Sequence, residues 1–316
     1  MSQSNILGNY YINFQSEYKK ISNGKLGPFD ELGIPQVDYD RWYKKNRVSE
    51  KSVRYGIHYT PVTIAHFAFG KFSKLSSNGN KEDEKENYLR IADWFVKNIH
   101  KTGKGFGVWL HHFHMPIYEL KPPWVSAMAQ GEGISVLLRA YQLTYHRKYL
   151  DIARLALKSF KFNLREGGVY SVDNDGNIWF EEYPTNPPCH VLNGFIFALL
   201  GLWEYFKLTD DKNAKILWEK GLSTLEKNIH LYDCGYWTIY DQFTRHLVGK
   251  KYHDLHIQQM RILYEVSNKK IFSKYYHKWN DYKNSPICQL KRIIIPRLKK
   301  DYISRHLKRI SFMNHE

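Results

Sequence analysis

The chain alternates between segments that are apolar almost throughout and segments that are apolar on one side only. The almost continuously apolar segments are 60–72, 124–143 and 189–208. Each is followed by a segment with apolar residues at three- and four-residue spacing and charges between them, at 86–99, 149–162 and 213–229. The second pattern is typical of an amphipathic helix with one buried face, and the first of a helix buried on most sides. The sequence therefore predicts pairs of one inner and one outer helix.

A fourth pair, 252–266 with 269–282, follows the same order, and the pairs recur at a regular interval. Successive inner segments are spaced by 65, 65 and 63 residues when counted from Tyr59, Trp124, Cys189 and Tyr252. A fixed period of this kind indicates a repeat architecture. Short runs rich in Val, Tyr and Trp between glycines, such as "GVWLHHF" and "GYWTIYDQF", predict β-hairpins between the helices.

These patterns predict a mainly α fold, an incomplete (α/α) toroid of about four helical hairpins with short β-hairpins at one rim. The alternative is an unrelated helical bundle, which would not require the regular spacing. Because loops on a rigid scaffold carry function, the rim is where we expect the chemistry.

The predicted rim collects side chains that can act as acids, bases and cations. The segment "NIWFEEYPTNPP" places Glu181, Glu182 and Tyr183 before the third inner helix, followed by three prolines that restrict the backbone. The other rim candidates are His58, Tyr59, Trp124, Tyr240, Arg245, His246, Tyr252, His253 and His256.

A carboxylate facing a phenol suits proton abstraction from a carbon beside a carboxylate, as at C5 of a uronic acid. The substrate carboxylate must be neutralised while negative charge develops, and Arg245, His253 or His256 could supply the positive charge. One group removes the proton on one face and the other returns a proton on the opposite face. Burial of a glutamate and cations near a tyrosine would bring both pKa values toward neutrality.

Long segments of the chain resemble the C-terminal catalytic domain of D-glucuronyl C5-epimerases, which convert D-glucuronate to L-iduronate within heparosan-type polymers. The segments are "PPWVSAMAQGEGISVLLRAYQLT", "WFEEYPTNPPCHVLNGFIFALLGLWEYF", "LYDCGYWTIYD" and "YHDLHI", and "HYTPVTIAHFAFGKFSK" is similar to a segment just upstream in those proteins. The likeness covers roughly 30–285. It implies an (α/α) toroid, in agreement with the repeat, and an isomerase that needs no cofactor.

The resemblance also implies roles for individual residues. Glu182 and Tyr183 match the glutamate and tyrosine of the family's "EEYPT", Tyr240 that of "TIYD", and Tyr252 that of the "YH" motif. Glu182 and either Tyr240 or Tyr252 are then the opposed acid–base pair, and Tyr183 is a further catalytic residue. The residues expected to bind substrate are Tyr59, Trp124, Gln130, Glu181, Asn193, Arg245, His253 and His256.

The chain also departs from the family's pattern. The animal enzymes carry a Golgi membrane anchor and an N-terminal β-rich region, and Glu132 stands where they tend to have a histidine. We predict an N-terminal extension over 1–50, a catalytic toroid over 51–285 and a basic tail over 286–316. Three other functions stay open: a lyase that expels the C4 substituent after the same first step, a hydrolase with two carboxylates, and a non-catalytic polysaccharide-binding module.

The net charge of +16 indicates an anionic partner. A uronate polysaccharide fits it, a membrane surface contacted by the basic tail is a second candidate, and a homodimer is compatible with the sequence. Nucleic acid is not expected, because no nucleic-acid-binding motif accompanies the charge. With no apolar run of about 20 residues and no signal-like start, we predict a cytoplasmic protein, with the membrane surface as an alternative site of action.

Three further features of the sequence bear on metal binding or redox chemistry. The cysteines Cys189, Cys234 and Cys288 lack metal-ligand spacing and are interpreted as free thiols. "LHHFHM" puts His112 and His114 on one strand face without a carboxylate or cysteine partner, so lining of the cleft is favoured over a metal site. "VDNDGN" is interpreted as a hairpin turn. The sequence therefore predicts no metal.

Overall fold

The predicted helices form in a computed structural model of the chain, which describes residues 15–46, 54–75 and 81–295. The helices that begin before Leu225 are α1 (Gln15–Ser22), α2 (Tyr39–Asn46), α3 (Pro61–Leu75), α4 (Lys81–Lys97), α5 (Ala127–Thr144), α6 (Arg147–Leu157), α7 (Leu192–Thr209) and α8 (Lys212–Asn228). After it come α9 (Lys250–Ser267), α10 (Lys270–Asn284) and the helical stretch 286–295.

The chain divides into two units, a first unit that ends at Leu225 and a second that begins at Glu226. The boundaries predicted from the sequence, at 50 and 285, remain predictions. Parts of the predicted extension and tail, at 1–14, 47–50 and 296–316, lie outside the described residues. No helix within 15–46, 54–75 and 81–295 is both long and apolar enough to cross a bilayer.

The inner and outer assignments are confirmed in the first unit. In α5 and α7 every residue over 127–140 and 192–205 is buried, whereas α6 and α8 each keep one exposed side. α3 packs on α4 and α5, and α5 packs on α6 and α7. In the second unit α9 packs against α10, which buries Phe272 and Trp279. The mainly α fold class is confirmed.

Glycines allow α5 and α7 to approach closely. A methyl group placed on Gly201 would lie 2.3 Å from the backbone oxygen of Gly131, and one placed on Gly131 would lie 2.6 Å from Ala198 Cα. Real Cβ atoms do not approach backbone atoms so closely, so any larger residue would separate the helices. The "GEG" of α5 and the "LLGLW" of α7 therefore serve helix packing.

A buried ion pair connects the same two helices further along. Arg139 of α5 donates from Nη1 and Nη2 to Glu204 of α7 at 2.8 and 2.7 Å, and from Nη1 also to the carbonyl of Ser135 at 2.9 Å. Its guanidinium also lies over the rings of Phe69 and Phe72 of α3. Both charged side chains are almost fully buried. Three helices of the first unit therefore meet at Arg139.

Short antiparallel strand pairs lie between the helices, including the predicted hairpin of "YSVDNDGNIWF", whereas the predicted hairpin at "GYWTIYDQF" is limited to the isolated bridges Asp233–Thr238 and Ile239–Leu247. The strand pairs are β1 (Val37–Asp38) with β2 (Ile57–His58), β3 (His100–Lys101) with β4 (Gly107–Val108), β5 (Leu110–His111) with β6 (Trp124–Val125), and β7 (Tyr170–Val172) with β8 (Ile178–Phe180). The turn of β7 and β8 is the predicted "VDNDGN", in which Asp173 accepts the backbone N–H groups of Asp175 and Asn177. β6 precedes α5, and β8 precedes the Glu181–Glu182 segment of the candidate site.

Candidate active site

The Glu181–Glu182 segment follows β8 directly, and backbone hydrogen bonds hold it at the start of α5. Glu181 N–H donates to the carbonyl of Val169, and Glu181 C=O accepts from the N–H of Ala127, each at 2.8 Å. The first turn of α5 is also capped by the side chain of Ser126. The backbone at Glu181 is therefore fixed between the β7–β8 pair and α5.

Glu181 is a wholly buried carboxylate, with 0% of its surface exposed. It accepts hydrogen bonds from Ser171 Oγ at 2.5 Å and from the backbone N–H of His190 at 3.0 Å, and its Oε1 lies 2.7 Å from His190 Nδ1. These contacts hold the loop before α7. The substrate-binding role predicted for Glu181 stays a prediction.

Glu182 lies against the first turn of α7 and is 7% exposed. A methyl group placed on Gly194 would lie 2.2 Å from Glu182 Oε2 and 2.6 Å from its Cβ, so only glycine leaves room for this side chain. Asn193 Nδ2 lies 3.5 Å from the same oxygen. The first turn of a helix presents backbone N–H groups and the positive end of the helix dipole, which suits a carboxylate.

Tyr183 is held in an aromatic cluster of the first unit. Its half-buried ring stacks on Tyr118 at 4.3 Å and lies 5.6 Å from Trp124. Trp124 in turn stacks on the buried His111 at 4.0 Å and donates its indole N–H to the carbonyl of Phe113. The indole of Trp124 is buried, its N–H donates within the protein, and its ring lies beside that of Tyr183. Its predicted contact with substrate stays a prediction.

Gln130 and Asn193, both predicted to bind substrate, are buried. Gln130 accepts from Trp109 N–H at 2.9 Å and donates to Gly107 O and Ser159 Oγ, each at 3.0 Å. Its amide is hydrogen-bonded within the protein, and its predicted contact with substrate stays a prediction. Asn193 is brought to the Glu182 carboxylate, so its place at the site agrees with the expectation while its contact with substrate stays a prediction.

Tyr59 is tied to the segment that precedes β1. Its hydroxyl donates to Asp30 Oδ2 at 2.7 Å, and its ring lies 5.6 Å from Trp94. Burial and the Asp30 carboxylate raise the pKa of Tyr59 to about 12. Tyr59 is therefore a neutral phenol, and its predicted contact with substrate remains untested.

The two alternative tyrosines are neighbours in the second unit. The rings of Tyr240 and Tyr252 meet edge to face at 5.5 Å, and Tyr240 also stacks on His246 at 5.1 Å. Tyr252 is 42% exposed in the first turn of α9. Arg245 is exposed and donates to Gln242 Oε1 at 2.7 Å. The two tyrosines thus contact each other, and their arrangement does not show which of them is the better candidate for the second acid–base group.

His253 and His256 are core residues and not surface cations. His253 lies against Trp237 at 3.7 Å and contacts Thr238 Oγ1 and the carbonyl of Trp279, while His256 contacts the same Thr238 hydroxyl. Burial lowers the pKa of His253 to about 4 and that of His256 to about 3. Both are neutral near pH 7, and their predicted contact with the substrate stays a prediction.

Acid is expected to destabilise the chain through its buried histidines. The pKa values of His111, His253 and His256 lie near 3 or 4, below the unfolded value of about 6.5, because burial opposes protonation. The unfolded chain therefore binds more protons between these values, and stability is lost as the pH falls below about 6.5. Urea unfolding at pH 7 and pH 5 should differ by about 1 kcal/mol or more per histidine.

His256→Gln is expected to reduce this pH dependence, whereas the same change at the exposed His112 leaves it intact. Equal pH dependence in the two variants would contradict the assignment of His256 as a neutral core residue.

Sequence reasoning missed two residues that shape the site. Gly194 accommodates the side chain of Glu182, and a lone glycine inside an apolar helix gave no signal of that contact. His190 has a left-handed backbone, with φ of 50°, stacks on Trp179 at 4.4 Å and pairs with Glu181. The sequence shows only that His190 precedes a helix and does not indicate its role. Its contact with Glu181 forms only in the folded chain.

A further buried acid, Glu132, lies on α5. Glu132 is fully buried with Oε1 2.9 Å from His66 Nε2 of α3, and burial raises its pKa although His66 opposes the shift.

Over the described ranges, no three His, Cys, Asp or Glu side chains are grouped so that they could hold a metal ion. The three cysteines are free thiols.

Comparison with known proteins gives a family match and two relatives. The family described as D-glucuronyl C5-epimerase C-terminus matches residues 103–281. The chain is 38% identical over 292 residues to the D-glucuronyl C5-epimerase of Caenorhabditis elegans, covering 84% of this chain and 46% of that protein. It is 32% identical over 241 residues to an uncharacterized protein of Methanocaldococcus jannaschii, covering 72% and 78% of the two chains. The chain thus spans less than half the length of the nematode enzyme.

Among solved structures, the chain resembles a sugar epimerase from a ruminal bacterium. The TM-score is 0.51 at 14% sequence identity, with 87% of this chain and 74% of that chain covered. At this level of identity the likeness shows a common fold.

Proposed function

The chain belongs to the D-glucuronyl C5-epimerase family, a family of isomerases that act on carbohydrates, and we propose that it converts D-glucuronate to L-iduronate residues in an anionic polysaccharide. The polymer is proposed to be of the heparosan type, as the resemblance of the "EEYPT" and "TIYD" segments implies. The net charge of +16 supports an anionic polymer as the substrate.

The observation that carries this proposal is the position of the Glu182 side chain against Gly194. Its carboxylate is largely enclosed, lies on the glycine of the first turn of α7, and is adjacent in the chain to the fixed backbone of Glu181. A base with so few alternative positions loses little entropy on meeting a substrate C–H bond. Glu182 is therefore assigned as one acid–base group of the reaction.

The second acid–base group is assigned to the tyrosine pair. Tyr240 and Tyr252 contact each other, so a change at one alters the surroundings of the other. The proton leaves C5 to one group as negative charge spreads into the substrate carboxylate, and a proton returns from the other group on the opposite face. The substrate then changes configuration without any net change in its atoms.

The substrate carboxylate needs a cation as charge develops on it. Arg245 is assigned this task, because it is exposed and the planar fork of a guanidinium matches the geometry of a carboxylate. Tyr183, held by Tyr118 and Trp124, is assigned to hydrogen bonding with the uronate from the aromatic cluster.

The test is solvent isotope exchange. Heparosan is incubated with the chain in deuterated water, and the uronate is examined by proton NMR for loss of the C5 signal and appearance of iduronate; chondroitin and alginate serve as alternative polymers. Label at C5 with iduronate is the expected result. An unsaturated uronate that absorbs near-ultraviolet light would assign a lyase, new reducing ends a hydrolase, and binding with no label on any polymer a non-catalytic module.

A further inference from the structure

The helical stretch 286–295, at the end of the second unit, turns a set of large apolar side chains to solvent. These side chains, called here the apolar face, are 67, 57, 42 and 40% exposed and belong to Ile287, Leu290, Ile293 and Ile294. Residues three, four and seven apart lie on one side of a helix, so the four form one continuous stripe. Scattered exposed apolar residues are ordinary in proteins, but a stripe of this kind marks an interaction surface.

The opposite side of the same stretch is less exposed, and two polar residues on it contact the protein beside the half-buried Cys288 and Ile295. The Arg292 guanidinium lies 5.2 Å from the ring centroid of the buried Trp237, and Gln289 donates to the carbonyl of Lys283 at 2.7 Å. Arg292 and Gln289 are both less exposed than the apolar face. The usual pattern of a surface helix is thus reversed, because polar residues anchor it and isoleucines point outward. The anchoring contacts fix the orientation of the helix.

Charge supports one class of partner. Lys291 is exposed beside the stripe, the whole chain carries a net charge of +16, and the sequence from 286 to 316 has eight Lys or Arg residues and two acidic residues. Apolar side chains combined with many cations suit an anionic lipid surface, where the former enter the acyl boundary and the latter meet the headgroups. A polysaccharide has little apolar surface for isoleucines, and two copies of a chain with a charge of +16 repel each other.

We propose that the apolar face of 286–295, together with its basic residues, binds the surface of a membrane containing anionic lipids, with the helix lying in the plane of the headgroups. This inference does not depend on the proposed reaction. It gives the second unit a docking role in addition to the tyrosine pair.

Co-sedimentation of the whole chain with vesicles tests the proposal. Vesicles of phosphatidylcholine mixed with phosphatidylglycerol should bind the chain, while pure phosphatidylcholine vesicles or high salt should weaken binding. Replacing all four residues of the apolar face by serine should lower binding at least ~10-fold, since each removed side chain contributed buried apolar area. Thermal unfolding should be unchanged in the variant, because the four side chains are exposed.

A matched control replaces four exposed apolar residues that are scattered over the first unit. They are Leu32, Ile117, Val172 and Ile216. Serine at these positions should leave vesicle binding unchanged. The proposal is wrong if the wild-type chain does not bind anionic vesicles, or if the two serine variants bind equally. It is also wrong if light scattering finds a wild-type dimer that the apolar-face variant dissociates, since a second copy would then cover the stripe.

Discussion

Glu182→Gln is expected to lower the rate of deuterium incorporation at uronate C5 by ~10²- to 10⁴-fold, the range that general acid–base groups contribute. The amide has the size of the carboxylate and can occupy the space over Gly194, but it cannot accept the C5 proton. The urea midpoint should therefore stay close to that of the wild-type chain. Isotope exchange followed by NMR, with urea unfolding of the same sample, measures both effects.

Glu181→Gln is the matched control, because it makes the same chemical change one residue earlier. Glu181 accepts from Ser171 and pairs with His190 in the interior, so this variant should lose stability. Its rate should fall less than that of Glu182→Gln when both are assayed well below their unfolding temperatures. If Glu182→Gln retained wild-type exchange, Glu182 would not be an acid–base group of this reaction.

Gly194→Ala tests whether the position of the Glu182 carboxylate matters, without changing its ability to accept a proton. The added methyl group would overlap Glu182 Oε2, so the side chain must move while its acid function is retained. A displacement of about 1 Å in a catalytic group can cost ~10²-fold in rate. A variant with full activity would show that the position of Glu182 on α7 does not matter.

Arg139→Met is expected to destabilise the first unit by about 3–5 kcal/mol, which would be the largest single effect on folding proposed for this chain. The change removes a cation from a site where Glu204 is completely buried, and it leaves that carboxylate without its bidentate partner. The desolvated charge, more than the lost attraction, accounts for the cost. Urea unfolding at pH 7 provides the measurement.

Two companion variants separate this explanation from a general loss of packing. Adding Glu204→Leu to Arg139→Met removes the stranded charge, so the double variant should recover most of the lost stability. Lys215→Met breaks the exposed ion pair with Glu219 on α8 and should cost about 0.5 kcal/mol or less. A double variant as unstable as Arg139→Met alone would contradict the buried-charge explanation.

The fold could be predicted largely because hydrophobic periodicity is a local property of the sequence. The almost continuously apolar segments 124–143 and 189–208 predict helices that are buried on all sides. In the structure, α5 is buried over 127–140 and α7 over 192–205. The predicted hairpin turn at "VDNDGN" formed for a similar reason, since Asp173 binds backbone groups two and four residues away. Interactions of this range are visible in the sequence.

The site could be predicted only in part, because residue type does not reveal burial. Glu181 and Glu182 are neighbours in one motif, yet one is enclosed by Ser171 and His190 while the other lies on a helix turn. His253 and His256 were candidates for cations for the same reason, and their contacts with Thr238 could not be foreseen.

The repeated pairs of helices, the family and the motif that carries the candidate acid follow from the sequence alone, because they depend on order and spacing along the chain. Three features became known only from the packed structure: which of two adjacent glutamates pairs with His190, which histidines stay neutral, and which side of 286–295 turns to solvent. Those outcomes depend on desolvation and on partners distant in sequence, and both arise only when the helices of each unit pack, α5 with α7 in the first and α9 with α10 in the second.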